Sequence, residues 1–170
     1  MPETHSKYFF NETNASQIKE GSDVILVTDN FSTPENIGSI IRLAANVGAS
    51  KVMVIGSADC RESKIKKTAG AAFGHVKIER VSGNNFAAPE GYQLVALETA
   101  NGATNLYQEN LPHKIALVLG NEKYGVSEKL LDLCEAAVYI PMPGAIKSMN
   151  VSHAASVCLF EWMRQKLMNT

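Results

Sequence analysis

Three short clusters in this 170-residue chain bring together residue types that can hold and position a ligand. The first is Asn36, Gly38 and Arg42, within PENIGSIIRLAA. The second is Gly120, Glu122 and Gly125, in GNEKYG. The third is Gly144, Ser148 and Asn150, in PGAIKSMN. Amide, guanidinium, carboxylate and hydroxyl groups supply hydrogen bonds and charge, and the glycines permit tight turns or close backbone approach. Each cluster alone has a plain reading. Asn36, Ser148 and Asn150 suit helix caps, Arg42 the polar side of a helix, and Glu122 a surface turn. Their shared position is what unites them. Each follows an apolar run, and in an open parallel sheet ligands gather beyond the carboxyl ends of the strands.

The elements that must position these residues follow from periodicity. Residues 23–28 (DVILVT), 51–55 (KVMVI), 76–80, 93–97, 114–119 (KIALVL) and 137–140 read as strands, mostly buried on both faces. Between the first two, Ile37, Ile40, Ile41 and Ala44 fall at i, i+3, i+4 and i+7, one apolar helix face that Gly48 closes. Near the end, Val151, Ala154, Ala155, Cys158, Leu159 and Trp162 form a second apolar stripe. Strands alternating with helices predict an α/β fold with a largely parallel, helix-covered sheet. Residues 21–170 read as a single domain and residues 1–20 as a polar N-terminal arm.

Composition narrows the function. A formal net charge of −1 gives no global argument for nucleic acid, so phosphate contacts would fall to a local patch such as Arg61, Lys64, Lys66 and Lys67. The other reading of that patch is a solvated helix start. The three cysteines and four histidines show no metal-ligand spacing, and the cysteines suit a reducing cytoplasm. No apolar run is long enough to span a membrane, and the first residues do not read as a signal peptide. G-x-x-x-x-G-K-[ST], G-x-G-x-x-G after the first strand and G-x-S-x-G are all missing. A ligand here must be held without a glycine-rich phosphate cradle.

Taken together, the clusters resemble the SpoU/TrmH family of RNA 2′-O-ribose methyltransferases, of the SPOUT or α/β-knot class. N-x-G-x-x-x-R-x-A runs from Asn36 to Ala44, G-x-E-x-x-G from Gly120 to Gly125, and I-P-M-x-G-x-x-x-S-[LM]-N-V from Ile140 to Val151. The resemblance implies a deep C-terminal trefoil knot and S-adenosyl-L-methionine as methyl donor. Leu97, Gly120, Ile140 and Ser148 match the family's cofactor contacts, with Met142 and Met149 as neighbours. Gly120 and Gly144 would let the backbone approach that ligand.

By the same resemblance, Arg42 is the base, or the clamp that favours a developing ribose alkoxide. A guanidinium holds its proton tenaciously, which suits the clamp. Asn36 would orient Arg42 or the ribose, Ser148 and Asn150 would shape the site, and Glu122 would fix the loop, Arg42 or a proton. The family also implies a homodimer with composite active sites, Arg42 of one chain completing the site of the other. Its small size and the GNEKYG loop resemble tRNA-modifying members, and no extra N-terminal RNA-binding domain is evident. The expected substrate is therefore tRNA; the alternatives are rRNA as the methylated substrate, or a non-catalytic RNA-binding module on the same fold.

Overall fold

The computed structural model describes residues 23–57, 60–83 and 85–168; the expected N-terminal arm lies outside them. The chain runs β1 (Val24–Asp29), α1 (Pro34–Asn46), β2 (Lys51–Ile55), α2 (Glu62–Ala69), a 3-10 turn (Gly70–Gly74) and β3 (Lys77–Val81). It continues through β4 (Gln93–Leu97), β5 (Thr104–Asn105), β6 (Ile115–Leu119), α3 (Glu128–Leu131), β7 (Ala136–Tyr139) and α4 (Val151–Met168). The seven strands form one sheet in the order β3-β2-β1-β6-β4-β7-β5. Every pairing in it is parallel.

Alternation along β1 shows why the central strands are mostly apolar. Val24 and Leu26 pack on one face of the sheet, Ile25 and Val27 on the other. The first face carries α1, α2 and α4: Ile37, Ile40, Ile41 and Ala44 meet Ile65, Ala155, Cys158, Leu159 and Trp162 in one core. The second face is covered by Val126, Leu130 and Leu131 around α3, with Phe86 and Tyr92. The α1 stripe ends as its sequence predicts. Gly48 takes φ 65°, and the Ala49 amide closes on the Ala44 carbonyl at 2.9 Å.

Gly38 has a purpose its motif position conceals. A Cβ there would stand 2.6 Å from Thr68 Cβ and 2.7 Å from the Ile65 carbonyl oxygen, so the bare backbone is what lets α1 lie against α2. α4 is anchored at its far end. Trp162 Nε1 donates to the Pro112 carbonyl at 2.9 Å, Gln165 accepts from the Leu111 amide at 2.9 Å, and Lys166 pairs with Asp23 at 2.7 Å.

The strand order decides where the site falls. After β1, β2 and β3 step outward on one side, β4 begins on the other, and β6 fills the gap between β1 and β4. The carboxyl ends of β1, β6, β4 and β7 are thus consecutive neighbours. The segments following them, which carry the three clusters, meet on one rim.

Candidate active site

Glu122 is the hub of that rim. Its Oε2 accepts from the Ser32 amide at 3.0 Å and the Ser32 hydroxyl at 2.9 Å. Its Oε1 accepts from the Thr33 amide at 3.1 Å and from Asn36 Nδ2 at 2.8 Å. Partial burial alone would raise this carboxyl, but the Ser32 and Asn36 donors outweigh it and hold the group at about 2. A carboxylate so acidic and so fully engaged is a poor proton acceptor near neutrality. It acts as a buttress for the start of α1.

The network continues beyond Glu122. Asn36, buried at 8% exposure, uses its Oδ1 to accept from Asn150 Nδ2 at 3.0 Å. Asn150 Oδ1 in turn accepts from the Ser152 amide at 2.9 Å and the Ser152 hydroxyl at 2.6 Å. Asn150 is therefore the N-cap of α4, and the Ala154 amide closes the first helical turn on its carbonyl at 2.9 Å. Its side chain caps the helix with the oxygen and reaches the site with the nitrogen. Ser148 makes neither kind of cap contact; it stands exposed on the cleft wall.

The loop from Gly120 to Ser127 is held by groups from neighbouring strand ends. Asn121 and Gly125 exchange both backbone hydrogen bonds at 2.9 Å. Glu98, directly after β4, accepts from the Val126 amide at 2.9 Å, and buried Asp29, at the end of β1, accepts from the Ser127 amide at 2.7 Å. Gly120 is required by this hairpin itself: a Cβ there would meet the Gly125 carbonyl carbon and Val126 nitrogen. At Gly144 a Cβ would meet nothing of this chain within 4 Å. Lys147 Nζ closes the 142–147 segment by donating to the Met142 carbonyl at 2.8 Å.

These segments enclose a cleft of about 540 Å³. Leu97, Gly120, Ile140, Met142, Ser148 and Met149 line it, together with Asn36, Glu122 and Asn150. Among the lining residues that sequence reasoning did not assign to a site are Glu98, Tyr139 and Lys147. Glu98 carried no motif signal, although a carboxylate directly after a strand in such a sheet was a usable clue. The volume suits a ligand of nucleoside-derivative size, with apolar Leu97, Ile140, Met142 and Met149 available to an aromatic base.

Arg42 is not among the lining residues. It lies exposed on α1, its Nη1 3.6 Å from where a Cβ of Gly70 would be. The basic patch on α2 is partly spent within the chain. Lys66 pairs with Glu62 at 2.6 Å and Lys64 reaches Glu35 at 3.6 Å, while Arg61 and Lys67 are exposed.

The profile of the SpoU rRNA Methylase family matches residues 23–160. The chain belongs to that family. Among curated relatives, the 23S rRNA (guanosine-2′-O-)-methyltransferase RlmB of Haemophilus influenzae is 32% identical over 164 residues, covering 92% of this chain and 67% of that protein. The chain spans about three fifths to two thirds of the length of the RlmB relatives it matches.

Among solved structures, the SpoU methyltransferase AviRb from Streptomyces viridochromogenes has a TM-score of 0.77 at 29% identity, over 86% of this chain and 60% of that one. AviRb has also been solved in complex with the cofactor AdoMet. A protein whose structure concerns 2-OH methylation of C/U34 on tRNA has a TM-score of 0.76 at 29% identity, covering 88% of this chain and all of that one. The expected preference for tRNA over rRNA finds no support in the curated relatives, whose names favour ribosomal RNA. No described helix is long and apolar enough to cross a membrane.

Proposed function

We propose that this SpoU-family chain transfers a methyl group from S-adenosyl-L-methionine to the 2′-oxygen of a ribose in structured RNA. The observation that carries the reading is the Glu122–Asn36–Asn150 network, built from three separate loops beside a cleft of nucleoside size. Bound in that cleft, S-adenosylmethionine supplies an electrophilic methyl group on a sulfonium sulfur. Leu97, Ile140, Met142 and Met149 would flank its base, with the backbone around Gly120 beside it. Ser148 and the Asn36–Asn150 pair shape the wall that the ribose must meet. Much of the acceleration then comes from holding the two reactants in line.

Arg42 serves as an electrostatic clamp on a substrate phosphate and on the charge that develops at the 2′-oxygen. Its position on the open side of α1, outside the lining of its own cleft, supports a homodimer in which each Arg42 completes the partner's site. Exposed Phe160 on α4 is an apolar side chain such an interface would cover. Sedimentation velocity at micromolar concentration should give twice the chain mass; a monomer contradicts the composite site.

Ribosomal RNA is the first substrate to test, given the RlmB relatives. A tRNA substrate is the second reading, favoured by the full-length match to the protein whose structure concerns C/U34 methylation. Methylation of purified, unmodified rRNA and tRNA from the host, with isotopically labelled donor, separates them. Label in neither pool would leave the RNA-binding module without catalysis as the surviving alternative.

The family's threaded C-terminus is proposed here as well. The order β6-β4-β7-β5, in which a late strand inserts beside an early one, supports it. Pulling the chain from both ends should leave a contour shortened by a tightened knot; a full-length contour contradicts it.

A further inference from the structure

We propose that Lys123 and Tyr124, at the tip of the loop between β6 and α3, form a platform on which an unpaired base of the target RNA stacks. This rests on the RNA reading above and adds how that substrate is held beside the cleft. Tyr124 is 78% exposed, an unusual state for a residue whose aromatic body gains so much from burial. The exposure is not a consequence of a loose loop. The paired Asn121–Gly125 backbone bonds close the turn, and Asn121 Oδ1 accepts from the amides of Lys123 at 2.9 Å and Tyr124 at 3.2 Å. The turn is thus built to present the ring outward.

Location gives the exposed ring its meaning. Glu122 and Gly125, which flank the pair, both line the cleft, so the ring stands at the cleft's rim. A nucleotide splayed out of a helix can bring its 2′-oxygen into such a cleft. Single-stranded bases so exposed are held by stacking on aromatic side chains, which accept any base because every base has a π-face. Lys123 Nζ lies 5.0 Å from the Tyr124 ring centroid, over one face, leaving the other for a base. The same ammonium can neutralise a phosphate of the bound strand.

The test uses Tyr124→Ala and Tyr124→Phe, with a fluorescein-labelled RNA stem-loop of mixed loop sequence and the same stem-loop with an abasic loop. Tyr124→Ala should weaken binding of the base-bearing loop at least about fivefold, Tyr124→Phe should restore it, and the abasic loop should bind native protein and Tyr124→Ala alike. In Tyr124→Trp, the new indole should be quenched by the base-bearing RNA against the steady background of buried Trp162, the chain's one native tryptophan.

Equal binding of the base-bearing loop by native protein and Tyr124→Ala overturns the proposal. So does a matching fall in S-adenosylmethionine affinity, which would mean the loop itself had collapsed, or a changed oligomeric state, which would assign the ring to a protein contact. Methyl transfer is measured in parallel on host RNA. Its failure in the native protein counts against the enzymatic reading, while the stacking comparison still stands or falls on affinity alone.

Discussion

Asn36 and Asn150, separated by 114 positions in the chain, join side chain to side chain through a 3.0 Å hydrogen bond from Asn150 Nδ2 to Asn36 Oδ1. The bond couples the first turn of α1, within the first sequence cluster, to the N-cap of α4, the last residue of the third. Its direction is fixed at both ends. Asn36 must spend its Nδ2 on the Glu122 carboxylate, and Asn150 must spend its Oδ1 on the Ser152 amide. Neither amide can flip without leaving a donor against a donor or an acceptor against an acceptor.

That polarity allows capping and site-building to be separated at Asn150. Asn150→Asp keeps an oxygen for the α4 cap but sets a carboxylate against Asn36 Oδ1. It should retain most of the thermal stability and lose most of the methyl transfer. Asn150→Ala should lose both, with the missing cap costing about 1 kcal/mol of stability. Calorimetric melting and single-turnover transfer on the same samples check the split. Loss of activity in Asn150→Asp only in proportion to lost stability would mean that the residue is a cap and nothing more.

Glu122 should leave a signature in acid. Its carboxyl moves from 4.5 when unfolded to about 2 in the folded chain, so its stabilisation is complete above 4.5 and disappears as the pH falls towards 2. Glu122→Gln has no such titration. The melting temperature of the native protein should exceed that of Glu122→Gln near neutrality, and the gap should close across that acidic window. A gap that stays constant contradicts the four-donor arrangement.

Gly38 predicts a stability effect without direct chemistry. Gly38→Ala forces α1 away from Thr68 and the Ile65 carbonyl, and should destabilise the fold by about 1–3 kcal/mol, several degrees in melting temperature. Donor binding measured calorimetrically well below the melting temperature should be unchanged. An unaltered melting temperature would show that the helices have room to spare.

Arg42 allows a test of the composite site. Arg42→Ala should bind S-adenosylmethionine as the native protein does, yet transfer no methyl group. Asn36→Ala should also be inactive, because the start of α1 loses its links to both Glu122 and Asn150. Mixed dimers of the two variants contain one site in which both native residues meet if Arg42 acts across the interface. Co-expressed mixtures should regain measurable activity; none regained would place Arg42 in its own chain's site.

Much of this site was legible before the fold was known. Asn36, Glu122 and Asn150 are polar residues in apolar or glycine-rich surroundings just past strands, and that contrast survives in a linear sequence. Their hydrogen-bond order was not legible, because it depends on β6 inserting between β1 and β4, a non-local pairing that leaves no period. Glu98 was missed because a lone glutamate after a strand looks like any surface charge until Val126 is seen above it. β5, with two residues, is too short to alternate. The lysines of α2 looked like a phosphate patch in sequence. The i,i+4 pair of Lys66 with Glu62 was visible there, but the reach of Lys64 to Glu35 was not.

The central claim is methyl transfer to ribose. Native protein, S-adenosylmethionine carrying an isotopically labelled methyl group, and rRNA and tRNA from cells lacking this gene should be incubated, digested to nucleosides and resolved by mass spectrometry. Label should appear in a 2′-O-methylnucleoside at one discrete position, and none when Arg42→Ala replaces the native chain. Label on a base, or no label in either RNA pool, would contradict it.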